Sequence, residues 1–235
     1  MLSFPAMGIV PLPFPHAAHP DFLPAGLYQR LKSKFPVCPP LGGPTGFSYF
    51  RGDPAYDSLV AEDPDWRIFA QTLHSQAFID YCLGGFAAVL AAEECLVPLE
   101  RARFADHFES RGDKFRREVR IADRPAEDLW VRLDILQGRK GYAREAHLDH
   151  RRRLVTMLIY FCDSDHIGMT GGDLVLHVSP DDEGLLRYPP RDNLMVAFPC
   201  SPRSWHSVSR IVAQQKTRDF VQITISSPAD AWPSD

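Results

Sequence analysis

The chain has no apolar run that approaches the length needed to cross a bilayer, so a membrane-spanning role is not expected. Basic residues form no dense stripe apart from Arg151-Arg152-Arg153, and the formal net charge is -4, which argues against nucleic acid as the main partner. Cysteine is sparse: Cys38, Cys82, Cys95, Cys162 and Cys200 are odd in number and never spaced as C-x-x-C. They read as reduced, mostly buried side chains of a cytoplasmic protein. The N-terminus lacks a basic start and is broken by prolines, so no signal peptide is expected. With no export signal, the Arg-Gly-Asp tripeptides at 51–53 and 111–113 are taken as chance matches.

Proline is abundant but unevenly placed. Twelve of the 21 prolines fall in residues 1–64, and each removes a backbone donor and fixes φ. This part is expected to be an irregular wrap with a short helix near 22–34. It carries too many aromatics, among them Phe4, Phe14, Phe22, Phe35 and Phe47, for a disordered tail. Asp63-Pro64-Asp65-Trp66 is a good helix start, with a capping Asp and a proline in the first turn. Trp66, Phe69, Ala70, Leu73, Ala77, Phe78 and Tyr81 then recur at helical spacing, interrupted at Gly84-Gly85 and followed by an Ala-rich helix over 86–95. These helices are expected to buttress a sheet. Residues 99–126 are charge-rich and mixed in sign, as a solvated loop would be.

After residue 127 the period changes. Short β-like runs cover 128–136, 142–149, 154–161, 173–178, 185–188, 193–198, 205–211 and 218–226, separated by Gly, Pro and Asp clusters. Eight such runs suggest a two-sheet sandwich or a jelly-roll barrel. The chain is long enough for one substantial core, so a single domain over 1–235 is expected, with 1–126 as wrap and buttress and 127–227 as the core.

One tripeptide in that half carries chemistry. In an extended strand, His147 and Asp149 project to the same side with Leu148 turned behind them. A third ligand would complete two histidines and a carboxylate, the facial set that holds non-haem Fe(II) and leaves positions open. His-x-Asp alone is weak, and a hydrogen-bonded surface pair is its ordinary meaning. His206 begins the seventh run, which can neighbour the second in a jelly roll. His150 points away from Asp149. His177 lies in a strand and could compete as a ligand, and His166 sits in a loop that could cover the site. Arg151, Arg152 and Arg153 are expected to form a solvated turn.

HLDH, LVTMLIYF, GGDLVLH, DNLMVAFP, SWHSVSRI and RDFVQI follow one another in an order that resembles the Fe(II)/2-oxoglutarate-dependent oxygenases, and within them the prolyl-4-hydroxylase-like group. The resemblance covers roughly residues 128–226. It implies an α+β fold with a mainly β core, a double-stranded β-helix (jelly roll) with N-terminal helices packed against the sheet. It implies an enzyme using Fe(II), 2-oxoglutarate and O2, with ascorbate in support, and matches His147, Asp149 and His206 to the iron ligands. The presence of Asp149 separates the chain from halogenase relatives, which carry a small residue there. The family pairs the far carboxylate of 2-oxoglutarate with a basic residue on the last strand. Spacing from His206 selects Lys216, whereas the DFVQITI pattern selects Arg218; Arg218 is preferred and Lys216 is the fallback. Tyr160 matches a tyrosine that contacts 2-oxoglutarate, although core packing explains it almost as well, and Tyr142 is a weaker match. Gly171-Gly172-Asp173 matches the family's turn.

Trp130, Arg132 and Trp205 are candidates for lining a substrate pocket, built otherwise from the N-terminal half and the 162–172 loop. A small metabolite or amino-acid-like substrate is favoured over a peptidyl proline, because no added peptide-binding domain is present. Two rivals remain: a non-catalytic, ligand-binding jelly roll, and a cupin-type enzyme with another metal. Oligomeric state is not legible.

Overall fold

The computed structural model describes residues 3–37, 45–109 and 124–233; Cys38 and the Arg-Gly-Asp at 111–113 lie outside them. Its organising element is β5 (Asp128–Gly138), whose sequence DLWVRLDILQG has two different faces. Leu129, Val131, Leu133 and Ile135 point one way, and Trp130, Arg132, Asp134 and Leu136 the other. Both faces are covered, so nearly the whole strand is buried.

β5 lies in an eight-stranded sheet with β12 (Arg218–Ser226), β7 (Arg153–Tyr160), β10 (Met195–Pro199), β2 (His16–His19) and β1 (Ile9–Val10) on one side and β3 (Gly46–Phe50) on the other. The short β4 (Arg103–Phe104) runs parallel to it. A four-stranded minor sheet has the order β6 (Arg144–His147), β11 (His206–Val208), β8 (Leu174–Leu176), β9 (Leu186–Tyr188). Each of the eight expected runs overlaps one of the strands β5 to β12. The two sheets close on each other through Leu158, Tyr160, Phe198 and Phe220 from the large sheet and Leu174 and Leu176 from the small one. This is a double-stranded β-helix.

The opposite face of the large sheet is the main core. Val131, Leu133, Met157, Ile159, Val221 and Ile223 meet the apolar stripes of α1 (Ala25–Ser33), α3 (Pro64–Leu73) and α4 (Gln76–Gly85). Trp66, Phe69 and Leu73 recur at helical spacing on α3 and are fully buried there. Helix α1 falls inside the expected 22–34. The helical stretch after Asp63 breaks earlier than expected, at His74–Ser75, because the Ser75 hydroxyl accepts from the Phe78 amide and starts α4. Gly84 and Gly85 end that helix, and the Ala-rich segment forms only α5 (Ala87–Ala92). Among the described residues, no helix is long and apolar enough to cross a membrane.

The proline-dense segment is more regular than its composition suggests. It supplies β1, β2, β3 and also α2 (Pro54–Glu62), whose Pro54 sits in the first turn where its missing donor costs nothing. β2 pairs with β10 and β3 with β5, so the wrap extends the large sheet at both edges.

Asp63 caps α3, accepting from the Asp65 amide at 3.0 Å and the Trp66 amide at 2.9 Å, and pairs with Lys34. Burial opposes its ionisation, but Lys34 and the two amides outweigh that and lower its pKa. Asp63→Ala is expected to cost about 1–2 kcal/mol in urea unfolding. The cap's ionic contribution should be complete above the unfolded carboxyl value of about 3.9 and fade as the pH falls through the lower folded value. The Ala variant should lack that component of acid sensitivity.

Candidate active site

In the minor sheet, β11 runs antiparallel to β6, and His206 stands directly opposite His147. Their ring centroids are 4.3 Å apart. Asp149, two residues beyond His147, completes a group whose ligand atoms all lie within 4.8 Å of one another. The two histidines are fixed by the same device. Nδ1 of His147 donates to the Glu145 carbonyl at 2.8 Å, and Nδ1 of His206 donates to the Ser204 carbonyl at 2.9 Å. In the neutral ring this leaves Nε2 of both with a free lone pair, the tautomer a metal ligand needs. Burial lowers the pKa of both, that of His206 to about 4, so both rings are neutral near pH 7.

Asp149 is held from two sides. Arg153 donates to Oδ1 and the Thr156 hydroxyl to Oδ2, each at 2.6 Å. Burial works against the charge, yet Arg153, His206 and Thr156 hold the carboxyl well below its usual range. The thiol of Cys200 lies 3.3 Å from the Thr156 oxygen, behind this pair. Two neutral imidazoles and one ionised carboxylate form a donor set suited to Fe(II).

The triad opens into a cavity of about 620 Å³, which Arg218 also lines. Arg218 is fully buried. Its Nε donates to the Gly172 carbonyl at 2.7 Å and Nη2 to the Tyr160 hydroxyl at 3.1 Å, while Nη1 has no partner among the described residues. The guanidinium also stacks 4.3 Å from the Phe220 ring centroid. A buried cation whose Nη1 is unpartnered, lining a cavity, fits a carboxylate ligand.

The other expected positions divide. Lys216 precedes β12, is exposed and does not line the cavity, so Arg218 alone occupies the site expected for one of them. Tyr160 is buried behind Arg218 and orients it, whereas Tyr142 lines the cavity with its ring over Gly46 and Gly138. Trp130 and Arg132 face the barrel interior but do not line the cavity. Trp130 packs on His107, and Arg132 makes a bidentate pair with Asp134 at 2.8 and 2.9 Å beneath the Phe50 ring. Trp205 is half-buried and off the cavity, because its neighbour His206 takes the inward face; its carbonyl accepts from the His177 amide. His166 is largely exposed and covers nothing in the cavity, and His177 is turned away from the triad. The N-terminal half reaches the cavity through Phe47 and Ser48 on β3, while none of residues 162–172 lines it and Gly172 acts there only through its bond to Arg218.

The arginine run is not a solvated turn. Arg152 and Arg153 are turned inward, and Arg153 grips Asp149. Thr156 was legible in principle, since it shares the period-two face of β7 with Leu158 and Tyr160. Arg153 carried no such signal, because β7 shifts register against β12 there. Asp134→Ala, which leaves Arg132 charged and unmatched, is expected to cost about 3–5 kcal/mol in denaturant unfolding.

Residues 133–223 match the 2OG-Fe(II) oxygenase superfamily. No curated protein sequence matches the chain. Among solved structures, the fold is similar to an oxidoreductase of the 2OG-Fe(II) oxygenase family from Burkholderia pseudomallei, with a TM-score of 0.54 and 11% identity over 92% of this chain and 86% of that one. It is similar to a Pseudomonas putida prolyl-4-hydroxylase, with a TM-score of 0.53 and 14% identity over 90% and 92%. A prolyl 4-hydroxylase from Phytophthora capsici gives a TM-score of 0.51 and 15% identity over 90% of this chain and 58% of that one. Residues 133–223 thus match a 2OG-Fe(II) oxygenase domain, a family of enzymes that use Fe(II), 2-oxoglutarate and O2, and His147, Asp149 and His206 are the candidate iron ligands within that match.

Proposed function

We propose that the enzyme hydroxylates an unactivated C–H bond of a small, amino-acid-like metabolite, with His147, Asp149 and His206 holding Fe(II) and Arg218 holding the far carboxylate of 2-oxoglutarate. The observation that carries this is the shared cavity: three convergent ligand atoms and a buried guanidinium with an unused donor line the same 620 Å³. When bound, the iron and the 2-oxo acid supply the oxidising chemistry with O2, releasing succinate and CO2.

The chain's own residues do the positioning. The Glu145 and Ser204 carbonyls keep both imidazoles presenting Nε2. Arg153 and Thr156 keep Asp149 ionised and fix the plane of its carboxylate. Tyr160 and the Gly172 carbonyl aim Arg218. Leu158, Leu174 and Phe198 give the cavity dry walls, which exclude water from the reacting bond.

A small substrate suits a cavity of this size, which falls within the usual range of about 300–1,000 Å³ and must also take 2-oxoglutarate. Arg144 lines the cavity, is exposed, and makes no hydrogen bond or ion pair with the described residues. It is suited to a substrate carboxylate. We read the chain as one domain over 1–235, with 1–126 buttressing 127–227. A cytoplasmic setting fits the free thiols of Cys82, Cys95, Cys162 and Cys200.

Succinate release with Fe(II), 2-oxoglutarate and a panel of free amino acids, related acids and proline-containing peptides tests the proposal. Turnover with free acids is expected; turnover with peptides alone overturns the substrate class. Fe(II) binding without any succinate would favour a ligand-binding role. His147→Ala, Asp149→Ala and His206→Ala should each abolish turnover. Thr156→Val should weaken Fe(II) binding by roughly tenfold to a hundredfold, measured by metal titration. Arg218→Met should raise the KM for 2-oxoglutarate by at least about tenfold while Fe(II) titration stays near wild type.

A further inference from the structure

The minor sheet has a second face, turned away from the metal cavity, and it carries another constellation. Because His206 points inward, the next residue on β11, Ser207, projects outward. Its Oγ lies 2.8 Å from Nε2 of His177, which follows β8 in the chain. Nδ1 of the same ring lies 2.9 Å from Oδ1 of Asp182 and 3.2 Å from the Asp182 carbonyl. Asp182 is fixed independently of the histidine. Its Oδ2 accepts from the amides of Val178 at 2.7 Å and Ser179 at 2.8 Å, and its Oδ1 from that of Gly184 at 2.6 Å. His177 is 5% exposed, so its ring is held by packing as well. Gly184, at φ +85°, lets the loop lie close over that ring, since a Cβ there would stand 2.1 Å from Val175 and 3.3 Å from His177.

We propose that Ser207, His177 and Asp182 form a second catalytic site, an acyl-transfer triad that hydrolyses small carboxylic esters. The roles follow from the hydrogen bonds. Nδ1–H of His177 donates to Asp182, so Nε2 carries the lone pair and faces the Ser207 hydroxyl. Asp182 is the positioning residue, and Ser207 and His177 are the reacting groups. A cavity of about 560 Å³ adjoins all three and is also lined by Arg144, Arg187 and Arg210 and by Glu145, Asp181 and Glu183. With charges of both signs in its lining, the cavity suits a small polar ester. None of these three triad side chains has a part in the oxygenase chemistry, so the two activities stand or fall separately.

The steps balance without a redox partner. Ser207 Oγ bonds to the ester carbon as its proton passes to His177 Nε2. The carbon–alkoxide bond then breaks and the alcohol leaves with that proton. Water repeats the sequence on the acyl-serine and restores the free hydroxyl.

The test uses the Fe(II)-loaded chain under nitrogen without 2-oxoglutarate, so that oxygenase chemistry is silent. Mono-p-nitrophenyl succinate and p-nitrophenyl acetate are the substrates, and diisopropyl fluorophosphate is the covalent probe. The expected results are an organophosphate adduct mapped to Ser207 by peptide mass spectrometry and nitrophenolate release that falls about a hundredfold in Ser207→Ala and in His177→Gln. Ser207→Cys should recover covalent acylation. No adduct on Ser207 of the wild-type chain, or unchanged release in a folded Ser207→Ala variant, overturns the site. The adduct map needs no variant, so a substitution that unfolds the sheet does not remove the test.

Discussion

The backbone pairing of β11 with β6 is the interaction that brings the candidate iron ligands together. It sets His206 opposite His147 although 58 residues of chain separate them, and the ladder shifts register immediately beyond, between His206 and Val208. On its other side β11 is locked to β8 through three consecutive pairs, His206 with Leu176, Ser207 with Val175 and Val208 with Leu174. A slip of one residue would turn the His206 ring out to solvent and bring Ser207 inward. Gly171 and Gly172 begin the segment that leads into β8 at φ +80° and +81°, and a Cβ at Gly171 would stand 2.0 Å from the Arg210 carbonyl. The close approach of these two segments therefore depends on a residue without a side chain.

The large sheet separates two kinds of interior. Its helix-facing side is hydrocarbon, with Leu133, Met157, Val221 and Ile223 meeting Trp66 and Phe69. Its barrel-facing side holds ions, each matched locally: Arg132 with Asp134, Arg153 with Asp149, and Arg218 with a carbonyl, a hydroxyl and an aromatic face. Stability comes mainly from the first side, because burying apolar surface is worth about 25 cal/mol per Å² whatever its orientation. Chemistry comes from the second, where geometry decides whether a charge helps or harms. β5, β7 and β12 carry both at once through strand alternation.

How far this was legible follows from the same alternation. The eight core strands and the His-x-Asp pair are local patterns, and residue order shows them directly. Arg218 was separable from Lys216 because strand register, and not a count from His206, decides which basic residue turns inward. Three other features were hidden for reasons of packing. Arg153 lies at a register shift, so no period marks it as buried. Trp130 and Arg132 do share the interior face, but Asp134 and His107 occupy them before any substrate can. The edge strands β1 and β3 run through proline-dense sequence, but the prolines fall outside both strands, so no ladder donor is lost.

The spare nitrogen of Arg218 ties affinity to fragility. A fully desolvated cation with Nη1 unmet is a site of frustration, which under the proposed function the far carboxylate of 2-oxoglutarate would relieve. A replacement that eased this frustration by other means would toughen the empty protein and blunt its appetite for the acid. Selection for heat resistance alone would therefore drift toward sturdy, idle variants, and the position at 218 would be among the first to change.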